Sequence, residues 1–115
     1  MRRRPRDADG DLLAGTLDMM VLRTLAAGPL HGFAIALTIA TRSADVILVE
    51  EGSLYPALHR LEDRGWISAA WGVTSNNRRA RFYTVMARGR RELTRESTRW
   101  TQLSAAVTRV MEPAS

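Results

Sequence analysis

Three apolar helical stretches, a strand–turn–strand pattern and one long helix with heptad-spaced apolar residues follow one another along 115 residues. That order predicts a mainly α fold with a small β-hairpin wing (α+β), a winged helix-turn-helix plus a long C-terminal dimerisation helix. The length suits one globular domain. Its expected division is a disordered basic N-terminal arm over 1–11, the winged helix-turn-helix over 12–86 and the dimerisation helix over 87–112.

Residues 1–11 are polar, carry Pro5 and Gly10 and have no periodicity, which predicts the arm. From Thr16 the chain turns apolar, with Leu17, Met20, Val21 and Leu25 on one helical face. Thr16 is the expected N-cap, Asp18 sits in the first turn, and Gly28-Pro29 is the stop. A second helix is expected from near His31, with Phe33, Leu37 and Ala40 as its buried stripe, fading at Arg42–Ser43. Asp45 to Glu50 is short and rich in β-branched residues. It reads either as a minor strand or as a segment extended across the core.

The third helix is expected to start at Ser53 as cap, with Pro56 in its first turn and Leu54, Leu58 and Leu61 facing inward. Gly65 closes it. Trp66–Trp71 and Arg81–Val85 then form two short strands around a polar tip, with Trp66 and Trp71 expected in the core. In the last segment Leu93, Trp100 and Val107 are seven apart, as are Leu103 and Val110. Two such rows make one apolar stripe, too long for so small a domain to cover, and a second copy of the chain is the expected partner.

Seventeen basic residues face twelve acidic ones for a net charge of +5, and all seventeen are arginine. Each cation is therefore a permanently charged planar fork suited to phosphate. The excess is local: residues 66–91 hold six arginines and no acid. A stretch that repels itself in this way is best explained by a polyanionic partner, the competing reading being a solvated basic surface. The absence of cysteine excludes disulfide scaffolds, thiolate zinc sites and cysteine nucleophiles. Two histidines are too few for an unaided imidazole metal site. No apolar run has the roughly 18–20 residues of a membrane span, so a cytoplasmic protein with no membrane partner is expected. No nucleophile elbow, phosphate-binding loop or dinucleotide glycine pattern is present, so no enzyme and no cofactor is expected.

Several spaced blocks occur in a recognisable order: Gly15-Thr16-Leu17-Asp18, Gly28-Pro29-Leu30-His31-Gly32-Phe33-Ala34-Ile35 and Glu51-Gly52-Ser53-Leu54-Tyr55-Pro56-Ala57-Leu58-His59-Arg60-Leu61. Gly65-Trp66-Ile67 and Asn77-Arg78-Arg79-Ala80-Arg81-Phe82-Tyr83 follow. From about Leu13 to Val110 the chain resembles the PadR family of transcriptional regulators, in its compact subgroup with a single C-terminal helix. Two positions depart from that pattern. Phe33 stands where the family commonly has Tyr, and Val85-Met86-Ala87-Arg88-Gly89 stands for Leu-Thr-x-x-Gly, so Met86 cannot cap the last helix. The resemblance implies a homodimeric DNA-binding regulator, most often a repressor, on a pseudo-palindromic operator. Some members respond to aromatic compounds held between dimer helices, which makes Trp100 the candidate ligand residue.

With the leucines of the third helix turned inward, Ser53, Tyr55, Pro56, His59 and Arg60 are left for double-stranded DNA. Four of the five have a competing reading: Tyr55 as a half-buried ring, Pro56 as a shape element, His59 as solvated, Arg60 as the partner of Glu62 or Asp63. Asn76, Asn77, Arg78, Arg79 and Arg81 on the wing suit phosphate clamping or minor-groove insertion. Arg88, Arg90 and Arg91 face either DNA or Glu92 and acids of a partner chain, and Arg2, Arg3, Arg4 and Arg6 are either a second arm or a solvated tail. Leu17, Val21, Leu93, Trp100, Leu103, Val107 and Val110 are the expected dimer interface. A protein-docking wing, a non-specific DNA binder and an RNA binder are the rivals. The last of these lacks solvent-facing aromatic pairs on a sheet.

Overall fold

The computed structural model describes residues 5–114, with side chains described from Gly15 onward. The chain runs α1 (Pro5–Leu25), β1 (Leu30–His31), α2 (Gly32–Arg42), α3 (Glu51–Asp63), β2 (Ile67–Val73), β3 (Arg79–Val85) and α4 (Ala87–Met111). This is the winged helix-turn-helix expected, with a long last helix. Arg2, Arg3 and Arg4 lie outside the described residues, as does the side chain of Arg6. The first helix begins at Pro5 rather than at Thr16, so positions 5–11 of the expected arm are helical. Proline does not bar that start, because a first-turn N–H has no partner within the helix to lose.

The centre of the molecule is α1, which packs against α2, α3, α4 and β3. Val21, Leu22 and Leu25 meet Ile35 and Ile39 of α2, Leu54, Leu58 and Leu61 of α3, Ile67, Tyr83 and Val85 of the sheet, and Leu93 of α4 in one core. The leucine face expected on α3 is the one buried, with Ala57 beside it.

The buried stripe of α2 is Gly32, Ile35 and Ile39. Phe33 and Leu37, expected inside, point to solvent at 71% and 54% exposure, and Ala40 is only half-buried. The helix is rotated because β1 sets its phase: Leu30 and His31 pair with Tyr83 and Phe82, which brings Gly32 inward against the Tyr55 ring. So short a strand leaves no periodicity to read.

Asp45 to Glu50 forms no strand. Ala44 and Asp45 turn the chain with positive φ, the Ile47 N–H donates to Ser43 Oγ, and of this run only Val49 packs against the core. Ser53 is not the cap of α3. Glu50 holds that place without a side-chain bond, and Pro56 is the sixth helical residue. Both Gly52 and Pro56 are exposed, so the carbonyl that loses its donor meets water. Gly65 ends α3 as expected, at φ +75°, while its N–H and that of Trp66 donate to the carbonyls of Glu62 and Leu61.

The sheet has the order β1-β3-β2, all antiparallel, with β2 and β3 in register from Ile67–Val85 to Val73–Arg79. Trp66 packs against the core as expected, but Trp71 is 63% exposed. The core ends at the Ala69–Tyr83 pair, and Trp71 lies one pair further out along the same face. The start of α4 is tied to the base of the wing. The Met86 N–H donates to the Trp66 carbonyl, Met86 offers no side-chain cap, and a Cβ at Gly89 would overlap that carbonyl. Among the described residues no helix is long and apolar enough to cross a membrane.

Candidate nucleic-acid interface

Four leucine and alanine side chains (Leu54, Ala57, Leu58, Leu61) anchor α3, which leaves Gly52, Pro56, His59 and Asp63 along one exposed ridge. Ser53 is exposed in the first turn. Tyr55 is 40% exposed, and its hydroxyl end closes against Gly32, so the ring bridges the starts of α2 and α3. That geometry satisfies part of both readings of this residue: one edge is structural and the other remains open.

Arg60 turns away from the ridge. Its Nη2 donates to Asp18 Oδ1 on α1 at 2.8 Å, and Arg64 stands 3.6 Å from the other carboxylate oxygen. The acids weighed as partners in the sequence, Glu62 and Asp63, lie two and three residues on and do not bond to it. Asp18 is buried, and burial raises its carboxyl above the usual value even though the Arg60 hydrogen bond and the Arg60 and Arg64 charges pull it down. This pair locks α3 onto α1.

A second link ties α3 to the wing, where Arg81 Nη2 donates to Glu62 Oε2 at 2.9 Å. Arg81 is thereby paired with an acid of α3. At the tip the chain reverses over Ser75, Asn76 and Asn77. The Thr74 N–H donates to the Arg78 carbonyl, the Asn77 N–H to the Thr74 carbonyl, and the Arg78 N–H to Thr74 Oγ1. Asn77 takes the left-handed conformation, φ +63°, for which Asn is better suited than most residues. Asn76, Asn77, Arg78 and Arg79 are all exposed there. Among the described residues Arg78 and Arg79 have no acid partner, while the Arg79 guanidinium lies over the Trp71 ring, 4.8 Å from its centre.

The fold is shared with known proteins. The profile of the transcriptional regulator PadR-like family matches residues 21–95. The chain belongs to the PadR-like family. A transcriptional regulator from Clostridium thermocellum superposes with a TM-score of 0.79 at 22% identity, covering 89% of this chain and 99% of its own. A PadR family regulator from Eggerthella lenta is 28% identical with a TM-score of 0.73, covering 95% of this chain and 93% of its own. An uncharacterized protein of Lysinibacillus sphaericus is 26% identical over 102 residues, 89% of this chain and 94% of its own. PadR-family proteins are DNA-binding transcriptional regulators and not enzymes, which is the class read from the sequence.

In this PadR-family chain the residues expected to join two copies divide. Trp100, Leu103, Val107 and Val110 are 46%, 46%, 50% and 81% exposed on α4, continued by Met111. Val21 and Leu93 are buried in the chain's own core, which leaves them little surface to offer a second copy, and Leu17 is partly buried against it. The heptad row runs through both environments because the first turns of α4 lie on α1 and the rest overhangs. Two hollows of about 420 and 510 Å³ flank Trp100, one toward Met20, Ile39 and Thr101, the other toward Gly15, Thr16 and Leu103.

Sequence reading missed Asp18 and Glu62 as the acids that hold Arg60 and Arg81, Thr74 as the organiser of the tip, and Trp71 as the partner of Arg79. One signal was present. Trp71 and Arg79 flank a turn-rich stretch, so pairing the strands outward from the core would have brought them to adjacent positions on one face.

Proposed function

We propose that the chain is a sequence-specific transcriptional regulator that acts as a homodimeric repressor, occupying a pseudo-palindromic operator in double-stranded DNA. The observation that carries this reading is the exposed α3 ridge beside a wing whose two tip arginines, Arg78 and Arg79, have no acid partner among the described residues. Ser53, Tyr55, Pro56 and His59 reach the major groove, and Asn76, Asn77, Arg78 and Arg79 clamp the backbone or the minor groove. Arg60 and Arg81 act at one remove, by setting the angle of α3 against α1 and of the wing against α3. Residues 12–86 are the reading unit and 87–112 the dimerisation unit. Trp100, Leu103, Val107 and Val110 of two copies cover one another, which sets half-sites about 34–36 Å apart.

The test is binding to a duplex from upstream of its own gene and to a scrambled duplex, at two salt concentrations. With three to four phosphates held per protomer, log K falls against log salt with a slope of about −5 to −7. Selective, steeply salt-dependent binding supports the reading. Equal binding to both duplexes makes the chain a non-specific binder, and no binding to either leaves a protein-docking wing. The hollows beside Trp100 favour a second element, a planar aromatic effector stacked on that indole. Titrating aromatic cations and acids while following Trp fluorescence and duplex affinity tests it, and unchanged signals remove it.

A further inference from the structure

The face of the hairpin that begins in the core with Ile67–Val85 and Ala69–Tyr83 continues outward as Trp71–Arg81 and then Val73–Arg79. Two arginines on this face stand by rings: Arg81 is 5.9 Å from the centre of Tyr83, and Arg79 is 4.8 Å from the centre of Trp71. Their electrostatic situations differ. Arg81 is already bound by Glu62 at 2.9 Å, whereas Arg79 has no acid partner among the described residues. Nothing in the core needs a large side chain at position 71, where the indole is 63% exposed. An exposed indole on an outer strand is therefore unexplained by packing, and the charged group lying over it is the Arg79 guanidinium.

A free arginine side chain has many rotamers to lose when it engages a phosphate or a base edge. Stacked on an indole it keeps its charge and its donors but has fewer orientations to sample. We infer that Trp71 is a positioning residue, which holds the Arg79 guanidinium on the wing in advance of DNA binding. The inference rests on the reading that the wing contacts DNA, and it assigns no DNA contact to Trp71 itself.

A double-mutant cycle with Trp71→Ala, Trp71→Phe, Arg79→Ala and Trp71→Ala/Arg79→Ala tests it, using the upstream and scrambled duplexes at one salt concentration. Trp71→Ala is expected to weaken binding about two- to fivefold for each wing engaged, the range of an exposed cation–π contact. Trp71→Phe, which retains a ring, recovers most of that affinity. In the Arg79→Ala background the same Trp71→Ala change costs nothing further. An equal effect in both backgrounds overturns the inference, since Trp71 would then touch DNA or support the fold. Wild-type affinity in Trp71→Ala also overturns it, while leaving the DNA-binding reading intact. Absence of wild-type binding to either duplex removes both. A readout without DNA is the Arg79 Nε–H resonance, expected to carry a ring-current shift that Trp71→Ala abolishes. An unshifted resonance in the wild type overturns the inference.

Discussion

Burial and pairing pull on Asp18 in opposite directions, and burial is the larger effect. A carboxyl whose folded value lies above 3.8, its ordinary one, makes the folded chain bind more protons than the unfolded chain in the window just above that value. Stability from this group therefore rises as pH falls through that window. Wild type is expected to gain thermal stability over Asp18→Asn as pH is lowered from neutral toward about 4, because Asn cannot titrate. If wild type loses ground instead, the guanidiniums of Arg60 and Arg64 outweigh burial. At the wing tip the relevant quantity is charge. Arg78→Ala with Arg79→Ala should weaken binding to every duplex and flatten the salt dependence by about 0.9 for each phosphate no longer neutralised. A salt slope equal to that of wild type would place the phosphate-binding groups elsewhere. Arg60 and Arg81 show what a sequence cannot display at this scale. Both are arginines on the elements proposed to face DNA, yet each bonds to an acid from another element, 42 and 19 residues away.

Among the elements, α3 is legible because Leu54, Leu58 and Leu61 share a helical face and Gly65 supplies the positive φ at its end. Its start is not, since Ser53 has the right chemistry for a cap but Glu50 takes the extended conformation instead. The phase of α2 escapes its own apolar pattern because β1 is only two residues long, and pairing to residues some fifty positions away rotates the helix. The junction of the wing with α4 is a place where one methyl matters. Gly89→Ala puts a Cβ into the Trp66 carbonyl, which is backbone and cannot swing aside. A destabilisation of about 1–3 kcal/mol is expected from such overpacking, measured by denaturant unfolding. An unchanged midpoint would mean that the first turn of α4 shifts freely. Met86, which offers no cap there, leaves that turn with little reserve.

On the scale of the whole molecule, α4 extends about 37 Å, far beyond the part that Leu93 anchors. Trp100→Glu places a charge in the middle of the exposed apolar stripe and is expected to give a monomer at micromolar concentration by sedimentation, with operator affinity falling as the second half-site is vacated. A variant that remains dimeric would move the interface away from this face. The order of the four helices and the two wing strands, the class of protein and the acid-free arginine stretch are properties of local pattern and composition, so the residues alone carry them, while β1 between α1 and α2 is not among them. Which arginines are free is settled only when the elements pack. Asp18 and Glu62 bond to Arg60 and Arg81, Trp71 lies under Arg79, and the heptad row of α4 is split between core and surface. Each of these depends on residues from different elements meeting at a distance of a few ångströms, and no periodicity along one element encodes where another element will lie.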